Sequence, residues 1–394
     1  MMPGEVEQSR RNMRSVVSPP CELMSLPDEM VLNCLARVSR SDLGALSLVS
    51  KSIRSLVSSP EMYETRSRMG TREECIYVSL EATCNSDPAA WFILRRGKGT
   101  TKKSRLVPIT NPPSPTPTGA TFVSLGWGIY VMGGRISAVE TSRVWFLDCR
   151  SHTWSELPSM RVARYEAKAG VLDGKIYVMG GCVDEDPEVF DPNTRTWSRV
   201  VIPEPVILSK EVTEVIGPDS YSYEFRSEEG MWNDFFLEDD CCATMIDRLL
   251  FSLDICGKIM WCDPWSGVKK GKMEWYKVKG LEDLQGFLKF DFRNGIAIYL
   301  LGANSDVWHC YMLNRGYKHG LLGVVPGFKL SKFGGNIVIF WGVVVGPKRM
   351  QVWCAEVSPE MRQDGQVWGI IQGIDHVFTV DPDQYVLSSI NVCI

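Results

Sequence analysis

The feature that most constrains this chain is a string that it carries twice. Ile129-Tyr130-Val131-Met132-Gly133-Gly134 recurs as Ile176-Tyr177-Val178-Met179-Gly180-Gly181, 47 residues on. Phe146-Leu147-Asp148 recurs as Val189-Phe190-Asp191 and Thr153-Trp154 as Thr196-Trp197, both displaced by 43. In each copy the Asp precedes the Trp by six residues. Self-similarity of this kind marks a stacked architecture, because one unit cannot bury its own faces and must use its neighbours.

Weaker copies extend the series. Leu249-Leu250-Phe251 leads to Trp261, Asp263 and Trp275; Asn294-Gly295 leads to Ile296–Gly302 and Trp308; Gly334-Gly335-Asn336 leads to Ile337–Trp341 and Trp353. A degenerate first copy falls at Ile76-Tyr77-Val78 with Trp91-Phe92-Ile93-Leu94. Each unit is several short β-rich runs between turn residues such as Asp173-Gly174. A period of this length with a glycine pair, an Asp and a Trp describes a four-stranded propeller blade. The expected fold is therefore mainly β, a propeller of about six blades with leading strands near 76, 129, 176, 249, 296 and 337.

Structural roles follow for the repeated residues. Gly133, Gly134, Gly180 and Gly181 let the innermost strand turn and approach its neighbours. Asp148 and Asp191 cap their own turns, and Trp154 and Trp197 are plates between blades whose N–H can find a carbonyl. A propeller must also join its first and last blades or leave exposed strand edges. The apolar tail Tyr385–Val392 suits that closure by pairing within the first blade.

Composition narrows the classes. Hydrophobic residues make up 44% and charged residues 23% of 394, which excludes a mostly disordered chain. A net charge of −4 supplies no global basic field for nucleic acid or anionic lipid, so neither is an expected partner. Thirteen cysteines, odd in number and scattered through apolar runs, argue for a reducing compartment. Arg10, Arg11 and Arg14 are followed by no apolar run, which is not a signal peptide. No window holds 18 uninterrupted apolar residues. The expectation is a cytoplasmic or nuclear protein: a flexible leader over 1–21, a helical domain over 22–66, and the propeller over 72–394.

The helical domain opens at Ser25-Leu26-Pro27-Asp28-Glu29, where Ser25 can cap, Pro27 fits a first turn, and two acids suit the positive helix end. Apolar residues at Met30, Val31, Cys34, Leu35 and Val38 have helical spacing. Ser41-Asp42 restarts a helix with Leu43, Leu46 and Val49; a third follows Ser50 with Ile53, Leu56 and Val57 and stops before Pro60. These helices carry more apolar positions than their mutual packing can use. Either one face is kept for a partner, or the helices cap the downstream domain.

The strings Leu26-Pro27-Asp28-Glu29, Cys34-Leu35-Ala36-Arg37-Val38 and Leu46 to Leu56, ending at Tyr63, resemble an F-box. The repeats resemble kelch repeats, and the stretches Leu147–Trp154 and Met160–Arg164 resemble those of the plant F-box/kelch-repeat family. That resemblance implies docking on a Skp-type adaptor and, through it, a cullin–RING ubiquitin ligase, with Leu26, Pro27, Met30, Leu43, Leu46, Val49, Lys51 and Ile53 as the adaptor-binding set. The family usually places Phe or Trp where this chain has Ile53, which would weaken the anchor. A propeller scaffold whose F-box has lost its role, and an enzyme housed in the propeller channel, are the competing readings.

Catalytic signals are missing. His152, His309, His319 and His376 stand far apart, and Cys241-Cys242 lacks zinc-site spacing. The glycine pairs lie inside β repeats with no helix or Lys-Ser/Thr following, unlike phosphate loops, and no G-x-S-x-G elbow occurs. The chain is therefore expected to bind no cofactor or metal and to catalyse nothing itself. Recognition of an unknown target protein falls to loops. The candidates are the proline-rich stretch 95–118, the acidic insertion 203–240 with Tyr221, Tyr223 and Trp232, and Arg161 and Arg164. Acid mixed with aromatics suits a basic, partly apolar target; a solubilising loop is the other reading. The two arginines could read an anion, or pair with a neighbouring blade's carboxylate.

Overall fold

A computed structural model describes residues 26–82, 90–97, 103–182, 187–200, 226–227, 230–231, 243–253, 258–263, 275–284, 329–346, 349–380 and 384–394. The chain divides into two compact units, Met1–Thr71 and Arg72–Ile394.

The first unit holds four helices: α1 (Asp28–Leu35), α2 (Arg40–Leu46), α3 (Lys51–Val57) and α4 (Pro60–Met69). Pro27 occupies the N-cap of α1. The Ser50 hydroxyl caps α3 by accepting from Ile53 N, and Ser59 caps α4 by accepting from Met62 N. The fourth helix corrects the sequence reading, in which Pro60 ended the helical run. Proline lacks only an N–H that a first turn leaves unpaired anyway, so here it starts a helix. Val31, Leu35, Ala36, Leu43, Ile53, Val57 and Met62 form the core. The buried Arg66 guanidinium donates to Val38 O at 2.9 Å and ties α4 to the α1–α2 link.

The second unit is built from β1 (Glu74–Ala82), β2 (Ala90–Arg95), β3 (Arg105–Ile109), β4 (Thr121–Leu125), β5 (Gly128–Met132), β6 (Arg135–Ile136), β7 (Val139–Glu140), β8 (Val144–Asp148), β9 (Thr153–Leu157), β10 (Lys168–Leu172), β11 (Lys175–Met179), β12 (Glu188–Asp191), β13 (Thr196–Arg199), β14 (Arg226–Ser227), β15 (Gly230–Met231), β16 (Ala243–Ile246), β17 (Leu249–Leu253), β18 (Ile259–Cys262), β19 (Tyr276–Lys277), β20 (Lys329–Phe333), β21 (Asn336–Gly346), β22 (Arg349–Met361), β23 (Val367–Val380) and β24 (Gln384–Cys393). Five four-stranded sheets result: β24-β1-β2-β3, β4-β5-β8-β9, β10-β11-β12-β13, β16-β17-β18-β19 and β20-β21-β22-β23. Every pair in them is antiparallel. The expected copy over 294–308 lies outside the described residues. Five blades of the array are therefore in view.

The strands read as leading, β1, β5, β11, β17 and β21, are second in their blades; the inner strands are β16, β20, β24, β4 and β10, which lie side by side in that order. This corrects the position of the glycine pairs. They end the second strand of each blade, β5 or β11, rather than the innermost. Apolar cores form between facing blades. Tyr130, Met132 and Val144 of the second sheet meet Ile176, Val178 and Phe190 of the third; Ile76, Val78 and Phe92 of the first meet Phe340, Val352 and Val377 of the fifth. The tail closes the ring as its pattern suggests: β24 pairs along the whole of β1, from Glu74↔Cys393 to Ala82↔Gln384. The stretch read as a stiff loop over 95–118 contains β3, the outer strand of the first blade. Its Leu106 and Ile109 are buried, which the prolines in and after it hid.

Candidate interaction surfaces

In the helical unit, backbone geometry sets out an apolar face. Between α2 and α3 the chain makes a hydrogen-bonded turn, with Leu48 N donating to Ala45 O at 3.1 Å and Val49 N to Leu46 O at 3.0 Å. Arg54 Nε donates to Ser47 O at 3.0 Å and pins the turn from α3. Leu48 and Val49 consequently stand outward, 77% and 67% exposed, with Met30 at 52%. Each such side chain forgoes up to about 1.5–3 kcal/mol of burial energy, which a partner covering it would recover.

The expected adaptor-binding set splits on this surface. Pro27, Met30, Val49 and Lys51 are exposed. Leu26 and Leu46 are half-buried against the core. Leu43 at 4% and Ile53 at 6% exposure are core residues, a correction to their place in that set. At positions 43 and 53 the side chains face the other helices, so the missing aromatic at 53 alters internal packing rather than a surface anchor. Leu48 was not singled out from sequence. The signal existed: with Leu43 and Leu46 on one helical stripe, two consecutive apolar residues at 48 and 49 cannot both continue it.

In the propeller, the repeated glycines and aspartates sit at tight approaches and turns. Gly134 has φ 90°, its N–H donates to Arg164 O at 2.7 Å, and an added Cβ would lie 2.7 Å from Thr118 O. Gly181 has φ 69°, accepts from Tyr165 N at 2.8 Å, and leaves a Cβ only 2.6 Å from Tyr165 O. Gly133 and Gly180 share the left-handed backbone. The two pairs thus clasp the connection between β9 and β10 from both sides, and only a residue without Cβ permits that approach. Asp148 Oδ1 accepts from Arg150 N at 2.9 Å and Asp191 Oδ1 from Asn193 N at 2.9 Å, each closing its own turn. Burial pushes the Asp148 carboxyl up, but hydrogen bonds and charge from Arg150, with backbone N–H groups, hold it below the ordinary value. Lys175 holds Asp191 low in the same sense. Trp197 donates to Pro158 O at 2.8 Å, bridging blades. Trp154 stacks edge-on to Trp91 of the preceding blade at 5.5 Å, yet its indole N–H is buried without a partner.

Of the expected target-reading residues, Tyr221, Tyr223 and Trp232 lie outside the described residues. Arg164 is withdrawn from that role. Its side chain is 0% exposed and pairs with Glu188 of the next blade, 2% exposed, at 3.1 Å; it also donates to Gly180 O at 2.7 Å and Cys182 Sγ at 3.1 Å. Arg161 is exposed, while its backbone N–H donates to Glu188 Oε2 at 2.7 Å. Among the described residues, no group of three or more His, Cys, Asp or Glu could hold a metal ion, and no helix is long and apolar enough to cross a membrane.

A helical module presenting an apolar face, joined to a propeller with kelch-type glycines, defines a two-part adaptor protein. The F-box domain matches residues 23–65, and the FKB95, Kelch-repeats domain matches residues 91–308. The chain is 32% identical over 388 residues to F-box/kelch-repeat protein At4g33900 of Arabidopsis thaliana, covering 90% of this chain and 91% of that one. It is 32% identical over 421 residues to F-box/kelch-repeat protein At4g19870 of the same plant, at 96% and 95% coverage. The chain belongs to the F-box/kelch-repeat family. An F-box implies a Skp-type adaptor as partner, and the kelch propeller implies a target protein; proteins of this build are generally non-catalytic adaptors.

Proposed function

We propose that this chain is the substrate-recruiting subunit of an SCF-type cullin–RING E3 ubiquitin ligase, acting in the cytoplasm or nucleus. The helical unit docks on the Skp-type adaptor, the propeller holds a target, and the target is thereby kept at high effective concentration near a charged conjugating enzyme. The chain itself transfers nothing. The observation that carries this reading is the outward Met30, Leu48 and Val49 surface on a unit whose own core is already complete. The pinned α2–α3 turn supports a preformed docking face, which lowers the ordering cost of binding.

Co-purification tests it. Leu48→Glu with Val49→Glu should abolish capture of the Skp-type adaptor while melting stays unchanged, because both side chains are solvent-exposed. Undiminished capture by the double variant would reject the docking role and return the chain to a plain scaffold.

A further inference from the structure

The β2–β3 hairpin of the first blade concentrates positive charge in a chain that is acidic as a whole. From Arg95 to Arg105 the sequence has Arg95, Arg96, Lys98, Lys102, Lys103 and Arg105 and no acid, against a net charge of −4 for all 394 residues. The described part is unusual in its pairing. Arg95 and Arg105 are direct cross-strand partners, and both are exposed. Like charges so placed have Cβ atoms about 5 Å apart and destabilise the hairpin. Lys103 is exposed beside them. Nearby acids are occupied: Glu356 pairs with Arg96 and accepts from Asn336 Nδ2 at 2.6 Å, and Asp375 Oδ2 accepts from Ser104 N at 3.0 Å. The side chains of Arg95, Lys103 and Arg105 form no hydrogen bond or ion pair among the described residues. Folding alone would have removed such a pair.

We infer that Arg95, Lys103 and Arg105 form an electrostatic docking point for an acidic segment of a partner polypeptide, resting on the reading of the propeller as the target-holding half. Several observations select that occupant. No aromatic residue lies between 95 and 105 in the sequence, and the neighbouring Phe333 ring already lies against Arg96, so the hairpin itself brings no platform for the base stacking that single-stranded nucleic acid uses. The positive charge is confined to one hairpin end of a net-negative chain, whereas duplexes and lipid surfaces meet a protein over distances well beyond the Debye length of about 8 Å. A short acidic segment fits within that distance. Backbone addition to the outer strand is blocked by the exposed Pro108 in β3, which leaves side-chain charge as the means of recognition.

The test uses the full chain co-purified with its adaptor, and a short fluorescein-labelled poly-glutamate peptide read by anisotropy. Wild type should bind at low salt and weaken toward 0.15 M ionic strength. Reversing Arg95→Glu, Lys103→Glu and Arg105→Glu should cut affinity at least roughly tenfold, while Arg105→Lys should retain binding. Arg105→Glu alone should melt no lower than wild type, since it converts a repulsive pair into an attractive one; the loss of binding then cannot be a loss of fold. The inference is overturned if wild type does not bind the peptide or if the triple variant binds it equally. It is also overturned if a single-stranded oligonucleotide or a phosphatidylserine vesicle binds more tightly at the same residues. Adaptor capture, scored on the same samples, should persist in every variant; its loss would count against the ligase reading instead.

Discussion

Glu188→Gln is the sharpest probe of how the propeller holds together. The carboxylate is 2% exposed and faces the fully buried Arg164 guanidinium at 3.1 Å, while its second oxygen accepts from Arg161 N at 2.7 Å. Removing the charge takes from Arg164 the carboxylate it faces, while its bonds to Gly180 O and Cys182 Sγ remain. Breaking a buried ion pair by neutralising one member costs about 3–5 kcal/mol. The propeller unit runs from Arg72 to Ile394, roughly 320 residues, so its unfolding entropy at the midpoint is about 0.7 kcal/mol/K and the cost becomes a drop of about 4–7 °C. Differential scanning fluorimetry resolves that easily. Arg164→Met should cost a similar amount, and Arg164→Met with Glu188→Leu less than the two losses added, because no charge is then stranded. A Glu188→Gln protein melting within about 1 °C of wild type would refute the account of this pair.

Ile53→Trp should lower the stability of the helical unit by about 1–3 kcal/mol through overpacking, because residue 53 sits in its core; chemical denaturation followed by far-ultraviolet circular dichroism reads it, and a stabilised variant would argue for a surface position. Acid should act on the β8–β9 turn. The folded Asp148 carboxyl is held below its ordinary 3.8, so its contribution is present above that value and is lost as pH falls through the lower folded one. Arg150→Gln removes the main cause, and its stability between pH about 4 and 2 should fall less steeply than that of wild type; parallel curves would reject the pairing.

Much of the propeller could be read from sequence because its repeats fix residue types by geometry. A positive φ wedged against a neighbour's carbonyl admits only Gly134 or Gly181, and a turn that closes on a side chain asks for Asp148 or Asp191. Those demands leave a mark in every blade that meets them. For Arg164 the sequence offers both an anion reader and a partner for a neighbouring blade's carboxylate, and the structure shows the second; Glu188 itself could not be named, because it lies 24 residues away and nothing local distinguishes a buried carboxylate from an exposed one. In the helical unit, periodicity gave the right apolar positions but not which of them the unit uses itself. Leu43 and Ile53 face inward while Leu48 and Val49 face solvent, and only packing decides that. Pro60 carried two meanings, stop and start, and the Ser59 hydroxyl beside it resolves them in favour of a start.

The pairing of β24 with β1 also sets a schedule for biosynthesis. The second strand of the first blade, Glu74–Ala82, leaves the ribosome well before its inner partner Gln384–Cys393. Roughly 300 residues separate them, and at about 5–20 residues per second the interval is about 15–60 s. Throughout that time β1 lacks this partner, leaving open an edge that carries Ile76, Tyr77 and Val78. The helical unit, complete by residue 71, can fold long before the ring can close. A nascent chain can thus complete its helical unit while one edge of its propeller still waits for the strand that covers it.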